Sequence, residues 1–184
     1  MRQDLPITSY ALLGLLTFGD ELTGYELKQR ADFTLRFYWV SPAMSQVYSE
    51  LRRLADAGLV RPRGKGRGRT YTVTDAGREA LQTWLRETPA GLPVFKHPVA
   101  LRLMVGHLVD PGTLRRILEE YAAEVAAARR DLADVRSSLE GSDAPGEPFH
   151  HPSLVADWGL AHFDSEASIT RDLLRRLQDE KEEP

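Results

Sequence analysis

Residues 64–69 read Gly-Lys-Gly-Arg-Gly-Arg, a turn in which cations alternate with glycines. Leu59, Val60, Arg61, Pro62 and Arg63 precede it as one strand, and Thr70, Tyr71, Thr72 and Val73 return as another. The segment therefore predicts a β-hairpin with a cationic tip, in which the glycines permit positive φ and close approach to a ligand backbone. Few small folds carry such a hairpin, and the elements around it decide which one applies.

Three helix signals come first. Residues 10–18 form an apolar run that includes Tyr10, Leu12, Leu13, Leu15 and Leu16, too apolar for a surface helix, and Gly19 and Asp20 break it. Thr23, Gly24, Tyr25 and Glu26 match a capping box that starts a second helix, with Tyr25 or Leu27 turned inward alongside Ala31 and Leu35. Ser41 and Pro42 read as a third start, a hydroxyl cap followed by proline at the first helical position. From there Met44, Val47, Leu51 and Leu54 recur at spacings of three and four, giving one inward stripe, and Gly58 ends the helix. After the hairpin, Thr74 and Asp75 open a fourth helix to about residue 87, whose apolar side is Ala80, Leu81, Trp84 and Leu85. Three helices followed by a two-stranded basic hairpin is the order of a winged helix-turn-helix.

The net charge of −3 argues against a nucleic-acid partner until the chain is divided. Residues 1–88 carry 13 Lys and Arg against 10 Asp and Glu, whereas residues 89–184 carry 11 against 17. Residues 52–69 hold seven basic side chains and one acid, Asp56. Attraction to DNA depends on where charge faces, so this cluster outweighs the total. The chain has 184 residues and no cysteine, which excludes disulfides, thiolate metal sites and a cysteine nucleophile. No apolar run reaches the roughly 18 residues that a membrane helix needs, and the N-terminus lacks a signal-peptide pattern. A cytoplasmic protein is expected.

The outward face of the third helix carries Ser45, Gln46, Ser49, Arg52 and Arg53. A major groove admits one helix, and its base edges suit such side chains: Gln46 for adenine, Ser45 and Ser49 for close approach, Arg52 or Arg53 for guanine or phosphate. Lys65, Arg67 and Arg69 at the hairpin tip suit the DNA backbone or a minor groove. The start of the second helix, with Thr23 and Tyr25, offers backbone amides to a phosphate. A polar helix face or a basic turn taken alone is ordinary surface; their co-occurrence in this order is what predicts duplex-DNA binding.

Five segments together resemble the PadR family of bacterial regulators: SYALLGLL at 9–16, TGYEL at 23–27, SQVYSELRRL at 45–54, AGLV at 57–60 and YTVTDAG at 71–77. The resemblance implies a dimeric repressor. It also implies that Tyr48 helps to hold the recognition helix on DNA at a phosphate, a role that spacing alone does not assign. The length resembles family members with a separate helical C-terminal domain.

That second half follows a connection rich in proline (Pro89, Pro93 and Pro98) and a short helix near 99–108. From Pro111, Leu114, Leu118, Tyr121, Val125, Ala128, Leu132, Val135 and Leu139 alternate spacings of four and three without a fault. This heptad seam predicts a long helix that packs against a partner subunit, or alternatively against the last helix of the same chain. The last helix is expected over about 152–177, with Val155, Trp158, His162, Ile169, Leu173 and Leu177 inward. Phe95, Phe149, Trp158 and Phe163 are candidates to line a pocket for a small-molecule effector, if they are not simply core. No cofactor is implied. His150, His151 and His162 lack metal-ligand spacing, and no nucleophile elbow or phosphate loop occurs. The expected protein is mainly α with a small β-hairpin: a winged helix-turn-helix DNA-binding domain over 1–88 and a helical dimerisation domain over 89–184. A winged-helix protein-interaction adaptor is the alternative, and a ligand sensor that has lost DNA binding is opposed by the basic cluster.

Overall fold

The computed structural model describes residues 5–19, 21–93 and 96–179, apart from the side chains of Arg67 and Asp179. The chain forms two compact units divided between Gly91 and Leu92.

In the first unit the apolar run becomes α1 (Ile7–Leu15), which buries Ser9, Leu12, Leu13 and Leu15 and tightens into a 3-10 turn ended by Gly19 at φ 103°. A two-residue strand, β1 (Leu22–Thr23), leads into α2 (Gly24–Thr34). The capping box forms as the sequence indicates: the amide of Glu26 donates to Thr23 Oγ1 at 3.2 Å, and the Thr23 amide donates to Glu26 Oε2 at 2.8 Å. Leu27, not Tyr25, takes the inward position, and Tyr25 is 57% exposed.

The third helix, α3 (Met44–Asp56), begins two residues later than its sequence signal. Ala43 is its N-cap and supplies no side-chain bond. Ser41 instead binds Asp32 and Lys28 of α2, so its hydroxyl is used between elements and not at a helix start. Val47, Leu51 and Leu54 are fully buried against Leu12, Leu13, Leu16 and Leu27.

The hairpin is β2 (Val60–Arg63) and β3 (Thr70–Val73), antiparallel, with Val60 opposite Val73 and Arg63 opposite Thr70. It is one edge of a three-stranded sheet, because β1 pairs with the other side of β3, Leu22 opposite Tyr71. The two-stranded expectation missed β1, which is too short to carry a periodic signal. Pro62 sits on β2, an edge strand where a missing N–H is tolerated. At the tip Gly64 and Gly66 adopt φ of 75° and 65°, which other residues reach at a cost.

Helix α4 (Asp75–Glu87) starts at Thr74, whose Oγ1 accepts from the amide of Gly77 at 3.1 Å. A Cβ on Gly77 would lie 2.2 Å from the carbonyl oxygen of Leu59, so this helix reaches the wing only because the position has no side chain. Leu81 is buried and Trp84 stacks on Tyr10 at 5.0 Å, but Leu85 is 70% exposed, contrary to its placement on the apolar side.

The second unit contains α5 (Pro98–Met104), a 3-10 turn (Gly106–Leu108), α6 (Pro111–Ser138) and α7 (His150–Asp179). At about 1.5 Å per residue, the 28 residues of α6 span some 42 Å. Its seam closes on α7 of the same chain, where Leu118, Val125, Leu132 and Val135 are buried and Leu114 and Leu139 half-buried. The seam therefore does not wait for a partner subunit, which corrects its assignment as the dimer contact. The facing side of α7 presents Ser153, Ala156, Gly159, Glu166 and Thr170. A Cβ on Gly159 would come within 2.7 Å of Leu132 Cδ2, so small residues let the two helices approach closely. Four of the six residues expected inward on α7 consequently face out: Val155 and Ile169 are exposed, Trp158 is 64% exposed, and His162 is exposed too, whereas Leu173 and Leu177 are half-buried. Arg129–Asp164 and Arg136–Asp157 ion pairs, at 2.6 and 2.8 Å, flank the hairpin.

Tyr121 is the one polar member of the seam, and Glu166 explains it. Its hydroxyl donates to Glu166 Oε2 at 2.8 Å, and His97 Nε2 lies 3.1 Å from the same oxygen. His97 Nδ1 accepts from the amide of Ala100 and so caps α5. Burial raises the Tyr121 pKa, reinforced by the bond to Glu166. For Glu166 burial acts upward, but the bonds from Tyr121 and His97 outweigh it and hold the carboxyl below its ordinary 4.5. The ionised form thus favours folding above pH 4.5, a contribution lost as pH falls through the folded-state value. Tyr121→Phe is expected to cost about 1–3 kcal/mol at pH 7 by stripping a donor from a buried carboxylate. Chemical denaturation at pH 7 and again below pH 4 should show that difference shrinking.

Candidate nucleic-acid interface

The exposed side of α3 is set by its burial pattern. With Val47, Leu51 and Leu54 fixed in the core, Ser45, Gln46, Ser49, Arg52 and Arg53 all face solvent. The Ser49 hydroxyl donates back to the carbonyl of Gln46 at 2.9 Å, and Arg53 Nε lies 3.2 Å from Glu50 Oε2. Tyr48 is 41% exposed and lies across the start of α2. A Cβ on Gly24 would meet Tyr48 Cε1 at 2.5 Å, so glycine there is what seats the ring.

The wing and α3 enclose an open groove of about 570 Å³, lined by Tyr48, Arg52, Asp56, Pro62, Arg69 and Tyr71 among others. Arg52 from the helix and Arg69 from the wing thus share one concavity. Lys65 is exposed at the tip, whereas the side chain of Arg67 lies outside the described residues. The wing is stapled to the β1 edge, where Glu21 accepts from Arg63 at 3.0 Å and from Thr70 Oγ1 at 3.2 Å. Sequence reading missed this use of Glu21 and Arg63, and the exposed Arg61 beside them. It also missed Gly24, which sits inside the capping box as if it were a mere spacer.

Thr23 precedes Gly24, the seat of the Tyr48 ring, but is already committed. Its hydroxyl and amide both donate to Glu26 Oε2 at 2.8 Å. The Thr23 backbone bond, ahead of its side-chain bond, lowers the Glu26 pKa, so a carboxylate sits at this helix start. Thr23 therefore organises α2, and the carboxylate opposes an anion there. Tyr25 faces solvent and its hydroxyl accepts from Gln29 at 3.3 Å.

Among the described residues, the expected effector lining does not form one cluster. Trp158 and Phe163 are five residues apart on α7, roughly 140° around the helix, one exposed and the other half-buried. Trp158 stacks on His162 at 6.3 Å. Phe149 lies ahead of α7 and is partly exposed, and Phe95 falls outside the described residues.

A three-helix core with a basic wing and a polar recognition face defines a winged helix-turn-helix protein. Residues 12–83 match the transcriptional regulator PadR-like family. The negative transcriptional regulator PadR of Bacillus subtilis is 38% identical over 152 residues, covering 80% of this chain and 81% of that protein. Its crystal structure in complex with operator DNA superposes with a TM-score of 0.80 at 25% identity, over 94% of this chain and 99% of that one. The same protein in complex with p-coumaric acid gives a TM-score of 0.78 at 25% identity, with the same coverage. The chain belongs to the PadR-like family of transcriptional regulators. No described helix is long and apolar enough to cross a membrane.

Proposed function

We propose that the protein is a dimeric repressor that binds a two-fold symmetric operator in duplex DNA, with α3 in the major groove and the wing along the backbone. The observation that carries this reading is the groove shared by Arg52 and Arg69, on a helix that also exposes Ser45, Gln46 and Ser49. Arg53 and Lys65 extend the cationic surface, and Tyr48 reaches a phosphate from its seat on Gly24. Support for a repressor comes from the negative regulator of B. subtilis, and support for a small aromatic effector from its complex with p-coumaric acid. The second subunit docks on the outward face of α7, where Leu154, Val155, Trp158 and Ile169 are exposed on a helix whose other side is filled. Two recognition helices then read half-sites about one helical turn apart in a cytoplasmic duplex.

Titrating a fluorescent duplex at several salt concentrations tests the reading. Affinity should fall steeply with salt, by about 0.9 log units per log unit for each phosphate contacted. Salt-independent or absent binding would favour the adaptor reading, in which the winged helix docks on protein.

Gly24→Ala tests the Tyr48 seat. It is expected to displace the ring and weaken duplex binding about tenfold, the worth of one hydrogen bond to a charged group. Melting temperature should change little, because the ring can swing into solvent. Tyr48→Phe should match that weakening, and the double variant should add nothing further.

A further inference from the structure

Glu50 is the one described charged side chain of the first unit that is buried, at 5% exposure, and it lies on the helix proposed to enter DNA. A carboxylate at that place is doubly unfavourable. Desolvation penalises it unless it is fully bonded, and its charge has the same sign as the phosphates. An apolar side chain beside Val47, Leu51 and Leu54 would avoid both costs. Its bonds show what it does instead. Oε2 accepts from the hydroxyl of Ser9, a fully buried residue of α1, and meets Arg53 Nε at 3.2 Å.

The apolar contacts of α3 are non-directional, and its N-cap Ala43 supplies no side-chain bond. The Ser9–Glu50 bond is directional and fixes the helix about its own axis. A roll of about 20° would carry a side-chain tip some 5–6 Å from the axis through roughly 2 Å, more than a base-edge hydrogen bond tolerates. The same carboxylate holds Arg53 by Nε, on a side chain that is 52% exposed.

We infer that Ser9 and Glu50 are positioning residues for sequence readout: Ser9 sets the roll of α3 through Glu50, and Glu50 pre-orients Arg53 as a base reader. This rests on the DNA-binding reading above. It also divides labour on α3 between Arg52, which shares the groove with the wing and contacts phosphate, and Arg53, which discriminates sequence.

The test compares wild type, Ser9→Ala and Glu50→Gln as full chains, measuring affinity for the wild-type-selected duplex and for a random duplex, the salt slope, and the melting temperature. Ser9→Ala is expected to lower the selected-to-random affinity ratio about tenfold, with random-duplex affinity and salt slope unchanged. Glu50→Gln keeps an acceptor for Ser9 but loses the ionic hold on Arg53. It should relax selectivity about tenfold at the base position that Arg53→Ala also relaxes, and leave the positions read by Gln46 and Ser49 intact. A lowered melting temperature with an unchanged ratio in both variants would mean that the pair is merely structural, and would overturn the inference. If Ser9→Ala fails to fold, Glu50→Gln decides by the same ratio. Wild type that binds no duplex would instead overturn the DNA-binding reading itself.

Discussion

Replacing Arg52, Lys65 and Arg69 together with alanine is expected to lower affinity for any duplex by about three orders of magnitude at near-physiological salt. All three side chains are exposed, and none lies in the core, so the fold should survive. Arg52 and Arg69 line the groove between helix and wing. Every cation taken off a phosphate reduces the slope of log affinity against log salt by about 0.9. Three such cations per subunit, doubled in a dimer, flatten that slope by about five. A drop in affinity without flattening would mean that these cations act through something other than phosphate. Anisotropy titrations across a salt series separate the two outcomes, with circular dichroism confirming that the triple variant stays folded.

Leu132→Asp is expected to unfold the C-terminal helical hairpin. Leu132 is buried against Gly159, where even an added Cβ would lie 2.7 Å from Leu132 Cδ2. An unpaired carboxylate there costs about 3–5 kcal/mol, a large share of the roughly 5–15 kcal/mol that holds a typical domain together. Far-UV circular dichroism should show a marked decrease in helix, since α6 and α7 are the two longest helices. Leu132→Met, which conserves volume, should cost less than about 1.5 kcal/mol. A hairpin unaffected by the aspartate would show that Leu132 is not packed inside the chain.

Where sequence and structure agree, the signals are local. Thr23 with Glu26 and Thr74 with Gly77 are caps made within one turn of chain, and Gly58, at φ 72°, marks the end of α3 in sequence and structure alike. The wing is legible because glycines, cations and β-branched residues occupy one short segment. Where they disagree, a distant partner decides. Ser41 looks like a cap, yet Asp32 and Lys28 claim its hydroxyl across the α2–α3 turn. Large apolar residues on α7 look inward, yet close approach to α6 requires Ala156 and Gly159 there, which turns Trp158 out. Glu50 is readable in principle, since it lies three residues after Val47 and four before Leu54 on the inward stripe. A charged residue at such a position is a signal of its own.

Selection of bound duplexes from a random pool at near-physiological salt, followed by sequencing, tests the central claim most directly. The account predicts enrichment of a two-fold symmetric motif, with half-sites about one helical turn apart. Folded, dimeric protein that enriches no motif, with or without small aromatic acids, would contradict it.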